Sequence, residues 1–231
     1  MDRVHRIDCA GRTVREVNIE IRSELARGSS VAVANSGARH NLGVALLTSG
    51  RVTFDGSVGY YGAGMSDGAT IVIHGSAGWG VAEGMLSGSV SVEGNAGNGA
   101  AASIRGGTVV VKGDCGARAG ISMKGGLLLI GGDAGYMASF MMQKGVVVIL
   151  GNAGDALADS MYEGVVYVGG EIASLGNDAV VSDASPDDMN TLSGLIRQNG
   201  LKQPRRLRKV VSGRKLWNFD HAELETWRAA L

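Results

Sequence analysis

The sequence predicts an all-β chain: a single-stranded, right-handed parallel β-helix of about eight 19-residue coils, followed by a C-terminal helix and an extended tail. Three observations carry that expectation. Glycine is heavily used, 38 of 231 residues, beside only two prolines, which is neither collagen nor a Pro/Gly-rich disordered composition. Gly37, Gly56, Gly75, Gly94, Gly113, Gly132, Gly151 and Gly170 recur at intervals of 19. Four and two residues ahead of these anchors lie apolar pairs: Val52/Phe54, Ile71/Ile73, Val90/Val92, Val109/Val111, Leu128/Ile130, Val147/Ile149 and Val166/Val168. Spacing of two is that of a strand with one buried face.

A unit of this size cannot bury its own apolar face, so units must stack. Stacked strands lie about 4.8 Å apart, and seven intervals give a rod of roughly 34 Å. Two further glycine series keep step, Gly59 to Gly154 three residues after the anchors and Gly50, Gly88, Gly107, Gly126, Gly145 and Gly164 six before. They are expected at corners, giving positive φ or room for the next coil. Val58, Ala77, Ala96, Cys115, Ala134, Ala153 and Ile172 follow the anchors by two, and Leu47, Met85, Ile104, Met123, Met142 and Met161 by ten. Both series read as interior ladders. Right-handedness follows the usual rule for parallel connections.

The β-helix is assigned to residues 1–181, with a repeat core over 31–172, and the C-terminal helix and basic tail to 182–231. Residues 1–30 read as an atypical first coil: a strand from Val14 to Ile21, with Val17, Ile19 and Ile21 alternating, and a bend at Arg27-Gly28-Ser29-Ser30. Ser185-Pro186-Asp187-Asp188 signals a helix start, with Met189, Leu192, Leu195 and Ile196 as its apolar stripe and Gly200 beyond its end. The outward strand positions Val110, Leu129, Val148 and Tyr167 are too apolar for water, so this helix or a partner should cover them.

Basic and acidic side chains balance at 22 each, and 45% of residues are hydrophobic, which argues against disorder and against a general pull toward nucleic acid or anionic lipid. Residues 202–231 carry eight basic and three acidic side chains. Pairing with the acidic remainder explains that run without nucleic acid. No signal peptide and no membrane span is expected, and two cysteines suit a reducing, cytoplasmic compartment.

A search for reactive groups returns little. No G-x-G-x-x-G or P-loop occurs, and His5, His40, His74 and His221 make no metal-binding spacing. Cys115 falls in an interior ladder, as a buried thiol, and Cys9 has no evident partner. Aspartates Asp55, Asp114, Asp133 and Asp155 drift in phase, unlike a Ca²⁺ roll. No catalytic, cofactor-binding or metal-binding residue is assigned. The loops beyond the anchors vary most, and their aromatics suit a protein interface. The candidate partner-facing residues are Tyr60, Tyr61, Trp79, Arg118, Tyr136 and Tyr167, with Trp217 and Phe219 as tail anchors.

The units Gly75-Ser-Ala-Gly78, Gly94-Asn-Ala-Gly97, Gly113-Asp-Cys-Gly116, Gly132-Asp-Ala-Gly135 and Gly151-Asn-Ala-Gly154 resemble the repeated glycine motif of the C-terminal β-helix domain of glutamate synthase large subunits. The same domain occurs as the β-helix subunit of formylmethanofuran dehydrogenase. A free-standing form with the tail Ser212-Gly-Arg-Lys-Leu-Trp-Asn-Phe219 is most similar to the small subunit of N-methylglutamate synthase. The resemblance implies a structural subunit beside a glutaminase-type amidotransferase subunit and a synthase subunit holding FMN and an iron–sulfur cluster. It implies no cofactor in this chain, and a complex forming N-methylglutamate from glutamate and methylamine. The alternatives are the equivalent subunit of a formylmethanofuran dehydrogenase-type complex and a stand-alone carbohydrate-active β-helix protein.

Overall fold

The computed structural model describes residues 4–216. Strands β1 (Val4–Asp8) and β2 (Ser30–Ala34) flank helix α1 (Val14–Ala26), and β3 (Gly50–Asp55), β4 (Ala69–Ile73), β5 (Ser89–Val92), β6 (Thr108–Val111), β7 (Lys124–Ile130), β8 (Lys144–Ile149) and β9 (Val165–Val168) follow. From β1 to β9 each strand pairs in parallel with the one after it. From β3 onward the register is the repeat itself, Val52 pairing with Ile71, Ile71 with Val90, and so on to Val166. One repeat is one coil of a parallel β-solenoid of about seven turns. All the expected inward pairs are buried in one continuous core.

Each coil has a second side, where single-residue bridges link Val58, Ala77, Ala96, Cys115, Ala134, Ala153 and Ile172. Its third side alternates left-handed residues, such as Tyr61, Ala63 and Met65, then Arg118, Gly120 and Ser122. Alternation turns successive N–H groups up and down the stack, so Gly80 donates to Asn98 of the following coil and Ala82 to Gly62 of the preceding one. The turns are thus hydrogen-bonded like a sheet, which satisfies their buried backbone.

The glycine series divide their labour. Gly107 and Gly126 take positive φ, +78° and +72°, where an L side chain is strained. At the anchors the need is room: a Cβ at Gly113, Gly132 or Gly151 would collide with Asn95, Asp114 or Asp133 of the coil before. Those side chains receive the next coil's N–H in a ladder, Asp114 N to Asn95 Oδ1 at 2.9 Å, Asp133 N to Asp114 Oδ1 at 2.8 Å and Asn152 N to Asp133 Oδ1 at 2.6 Å. Asp114 and Asp133, expected to drift, stand in register there.

Two expectations for the N-terminal part are overturned. Residues 14–21 are helix, not strand. Thr13 and Glu16 form a capping box, and Val17, Ile21 and Leu25 are buried at four-residue spacing, while Ile19 is exposed. The apparent alternation shared Val17 and Ile21 with a helical stripe, and the cap decides between them. Gly37 also leaves the ladder, because Val31 pairs with Val52 and Ala34 with Asp55, a register of 21. Leu46 therefore fills the interior and Leu47 is exposed.

Helix α1 closes this end. Asn18, 4% exposed, donates to Asn41 O at 2.7 Å and accepts from Gly43 N at 2.8 Å, supplying the bonds that another coil would have given.

At the other end, β10 (Ala179–Asp183), α2 (Pro186–Gln198) and β11 (Arg208–Ser212) follow as the last described elements. β11 pairs antiparallel with β9 and with β10, ending a sheet of eleven strands among the described residues. The expected boundary at 181 falls inside β10, so the C-terminal elements extend the rod's own sheet. Ser185 caps α2 as expected. The chain itself covers the apolar outer face: Val110, Leu129, Val148 and Tyr167 pack with Leu192, Ile196 and Leu207. Three residues of the basic run are engaged in the same corner: Arg206 with Asp183, Arg208 with Glu171 and Lys209 with Asp188. Among the described residues no helix is long and apolar enough to cross a membrane.

Candidate interaction surface

The third side of the solenoid presents the loop residues that differ from coil to coil. On a regular stack, residues 19 apart fall in one column, so aromatics in neighbouring coils meet face to face. Tyr60 and Trp79 do so, with ring centroids 5.2 Å apart and planes inclined by 19°. His40 continues the stack on Tyr60 at 4.3 Å and 18°. Its Nδ1 accepts the Tyr60 N–H at 2.8 Å, so in the neutral ring the proton sits on Nε2. Sequence spacing leaves His40 isolated because the first coil is longer; it lies 20 residues before Tyr60.

Tyr61, Trp79 and Arg118 are brought together with Glu83, Asn98 and Ile121 around a shallow groove of about 250 Å³. A second hollow of about 420 Å³ adjoins it, sharing Tyr61 and Glu83 and adding Val44 and Met65. Trp79 is 52% and Met65 60% exposed. Apolar rings and a thioether at such exposure, bordered by one anion and one cation, make a surface suited to another protein. Tyr136 belongs to the column of Trp79 but stands three coils away, roughly 14 Å along the rod, beyond Asn98 and Ala117.

Three expected interface residues fare differently. Tyr167 is only 7% exposed and lies beneath α2. Its hydroxyl donates to Asp188 Oδ1 at 2.6 Å, and Lys209 Nζ holds the same carboxylate at 3.1 Å. Tyr167 therefore fastens the C-terminal cap and is unavailable to a partner. Burial and the Asp188 charge push the phenol up, while the phenol's hydrogen bond, with Ser185 and Lys209, holds the carboxyl well below its ordinary range. Trp217 and Phe219 lie outside the described residues.

Reactive groups do not converge. Cys9 and Cys115 are both buried, and burial raises their thiol pKa, the opposite of an activated nucleophile. Among the described residues no cluster of three or more His, Cys, Asp or Glu is placed to hold a metal ion. His74 is an exposed strand-end residue, in the column that pairs Glu93 with Lys112 at 2.6 Å.

No protein-family model and no curated protein matches the chain. A solved structure does. The chain is similar to a chain of the formyltransferase/hydrolase complex (FhcABCD) from Methylorubrum extorquens, solved in complex with methylofuran, with a TM-score of 0.72 and 24% identity. The match covers 90% of this chain and 91% of that one. At that identity the likeness shows the fold, a β-solenoid over nearly the whole length of both. The glutamate synthase resemblance of the repeat is not shown by these comparisons.

Proposed function

We propose that this chain is a non-catalytic β-solenoid subunit that braces the catalytic chains of a multisubunit complex of the formyltransferase/hydrolase or formylmethanofuran dehydrogenase type. One observation carries the reading: an exposed His40–Tyr60–Trp79 stack beside two adjoining grooves, on a fold similar to that of a chain in a solved formyltransferase/hydrolase complex. A rigid stack whose coils are hydrogen-bonded to one another is a good spacer, because its side chains hold fixed positions at low entropic cost to a partner.

Co-expression with the products of neighbouring genes tests this. A stable assembly should form, and Tyr60→Ala with Trp79→Ala should weaken it at least tenfold, about 1.4 kcal/mol. A chain that stays monomeric beside every such product, or that turns over a substrate alone, overturns the reading.

A second reading, supported by the five Gly-x-Ala/Cys-Gly units, is the equivalent subunit of a glutamate-synthase-like complex such as N-methylglutamate synthase. Its partners would be a glutaminase-type amidotransferase and a synthase holding FMN and an iron–sulfur cluster. The purified assembly separates the two: flavin bands in its absorption spectrum favour the second, and formyl transfer to a furan cofactor the first.

A further inference from the structure

We propose that the Tyr61–Trp79 groove seats an extended segment of a partner subunit, holding an arginine of that segment against Glu83 and an acidic side chain against Arg118. The proposal rests on the subunit reading above and names the chemistry of the chain that docks.

Two charges border this groove unanswered. Glu83 is half-buried and Arg118 exposed. Among the described residues neither side chain enters an ion pair or a hydrogen bond. The repeat supplies no counter-ion: adjacent coils carry Gly64 and Ala102 in the Glu83 column, and Gly99 and Met137 in that of Arg118. Elsewhere the stack does pair opposite charges across coils, as Lys112 with Glu93 at 2.6 Å. Part of the desolvation of Glu83 is therefore met before a partner arrives, and an incoming cation gains the interaction.

The rings favour arginine. A Cβ at Gly80 would lie 2.7 Å from Tyr61 Cδ1 and 2.9 Å from Glu83 Oε2, so ring and carboxylate edge the same spot. Trp79, the adjoining residue, is exposed. A planar guanidinium stacks on such rings while forking onto the carboxylate, which an ammonium cannot do. Tyr61 holds its place at φ 59°, a strain that the next two coils avoid with Gly80 and Gly99.

Spacing favours a protein segment over a single amino acid. Glu83 and Arg118 belong to coils two apart, about 10 Å along the rod. One residue spans only about 3.8 Å, whereas an extended strand covers 10 Å in about three residues, placing the arginine and the acid at i and i+3. Asn98, in the coil between, accepts the Ala117 N–H through Oδ1 at 2.9 Å, leaving its N–H₂ group for a backbone carbonyl of the segment.

Titration of the isotope-labelled full chain with acetyl-Arg-Ala-Ala-Glu-amide tests this by NMR. The Trp79 indole and Arg118 backbone N–H signals should shift together. Citrulline, neutral and nearly isosteric, in place of the arginine should abolish both shifts. Glu83→Gln should weaken the peptide about tenfold. Arg118→Glu should move the preference to acetyl-Arg-Ala-Ala-Lys-amide, a reversal that a general loss of packing cannot produce. Absent shifts, or equal response to the arginine and citrulline peptides, overturn the proposal even where the assembly forms. Capture of the arginine peptide by a chain that joins no complex upholds it and rejects the subunit reading alone.

Discussion

Asn18 shows how one side chain can replace a missing coil. It serves a carbonyl and an amide that would otherwise be buried without partners. Asn18→Leu should therefore destabilise by about 2–3 kcal/mol, read as a lower denaturant midpoint at unchanged m-value. Ser139 is the converse case. Its fully buried Oγ has no hydrogen-bond partner, in a column where neighbouring coils carry Gly120 and Ala158. Ser139→Ala should stabilise by about 1 kcal/mol. Asp188 ties stability to pH. Its carboxyl titrates lower in the fold than unfolded, so its contribution is complete above about pH 4 and disappears as pH falls through the folded value. The acid-induced fall in Tm should be shallower in Asp188→Asn than in the parent.

Among the elements, the anchor ladder and the left-handed side make opposite demands on glycine. At Gly132 a Cβ would strike Asp114, so Gly132→Ala should cost more than about 2 kcal/mol, comparable with overpacking of a core. Gly194, inside α2 with open space around it, should behave oppositely, Gly194→Ala adding about 0.5–1 kcal/mol. Tyr61 occupies a left-handed position, φ 59°, where an L residue is disfavoured by about 1–2 kcal/mol and neighbouring coils carry Gly80 and Gly99. Tyr61→Gly should raise the Tm of the isolated chain while weakening the assembly proposed above. That split in sign is what a side chain kept for binding predicts.

The whole molecule is a one-dimensional stack, and its ends are built from different parts than its middle. Helix α1 plugs one end, and an antiparallel β10–β11 pair with α2 finishes the other. Nearest-neighbour coupling makes the central coils the slowest to open. Hydrogen exchange should report the strongest protection at β5 to β8 and weaker protection toward β10. Uniform protection along the rod would mean instead that the stack opens as one unit.

The 19-residue period, the inward pairs and the Ser185 cap could be read directly from the chain, because each depends on local spacing that recurs or on a four-residue signal. The same spacing located the Tyr60–Trp79 column, though not His40, which lies 20 rather than 19 residues before Tyr60 in a coil of different register. What the tertiary structure alone decided was everything set by a neighbour rather than by a period. It turned residues 14–26 into a helical plug, moved the first coil out of register, and brought α2 over Tyr167. It also made anchor glycines a matter of clearance from the preceding coil. Periodicity says which residues share a column; only packing says what lies against that column.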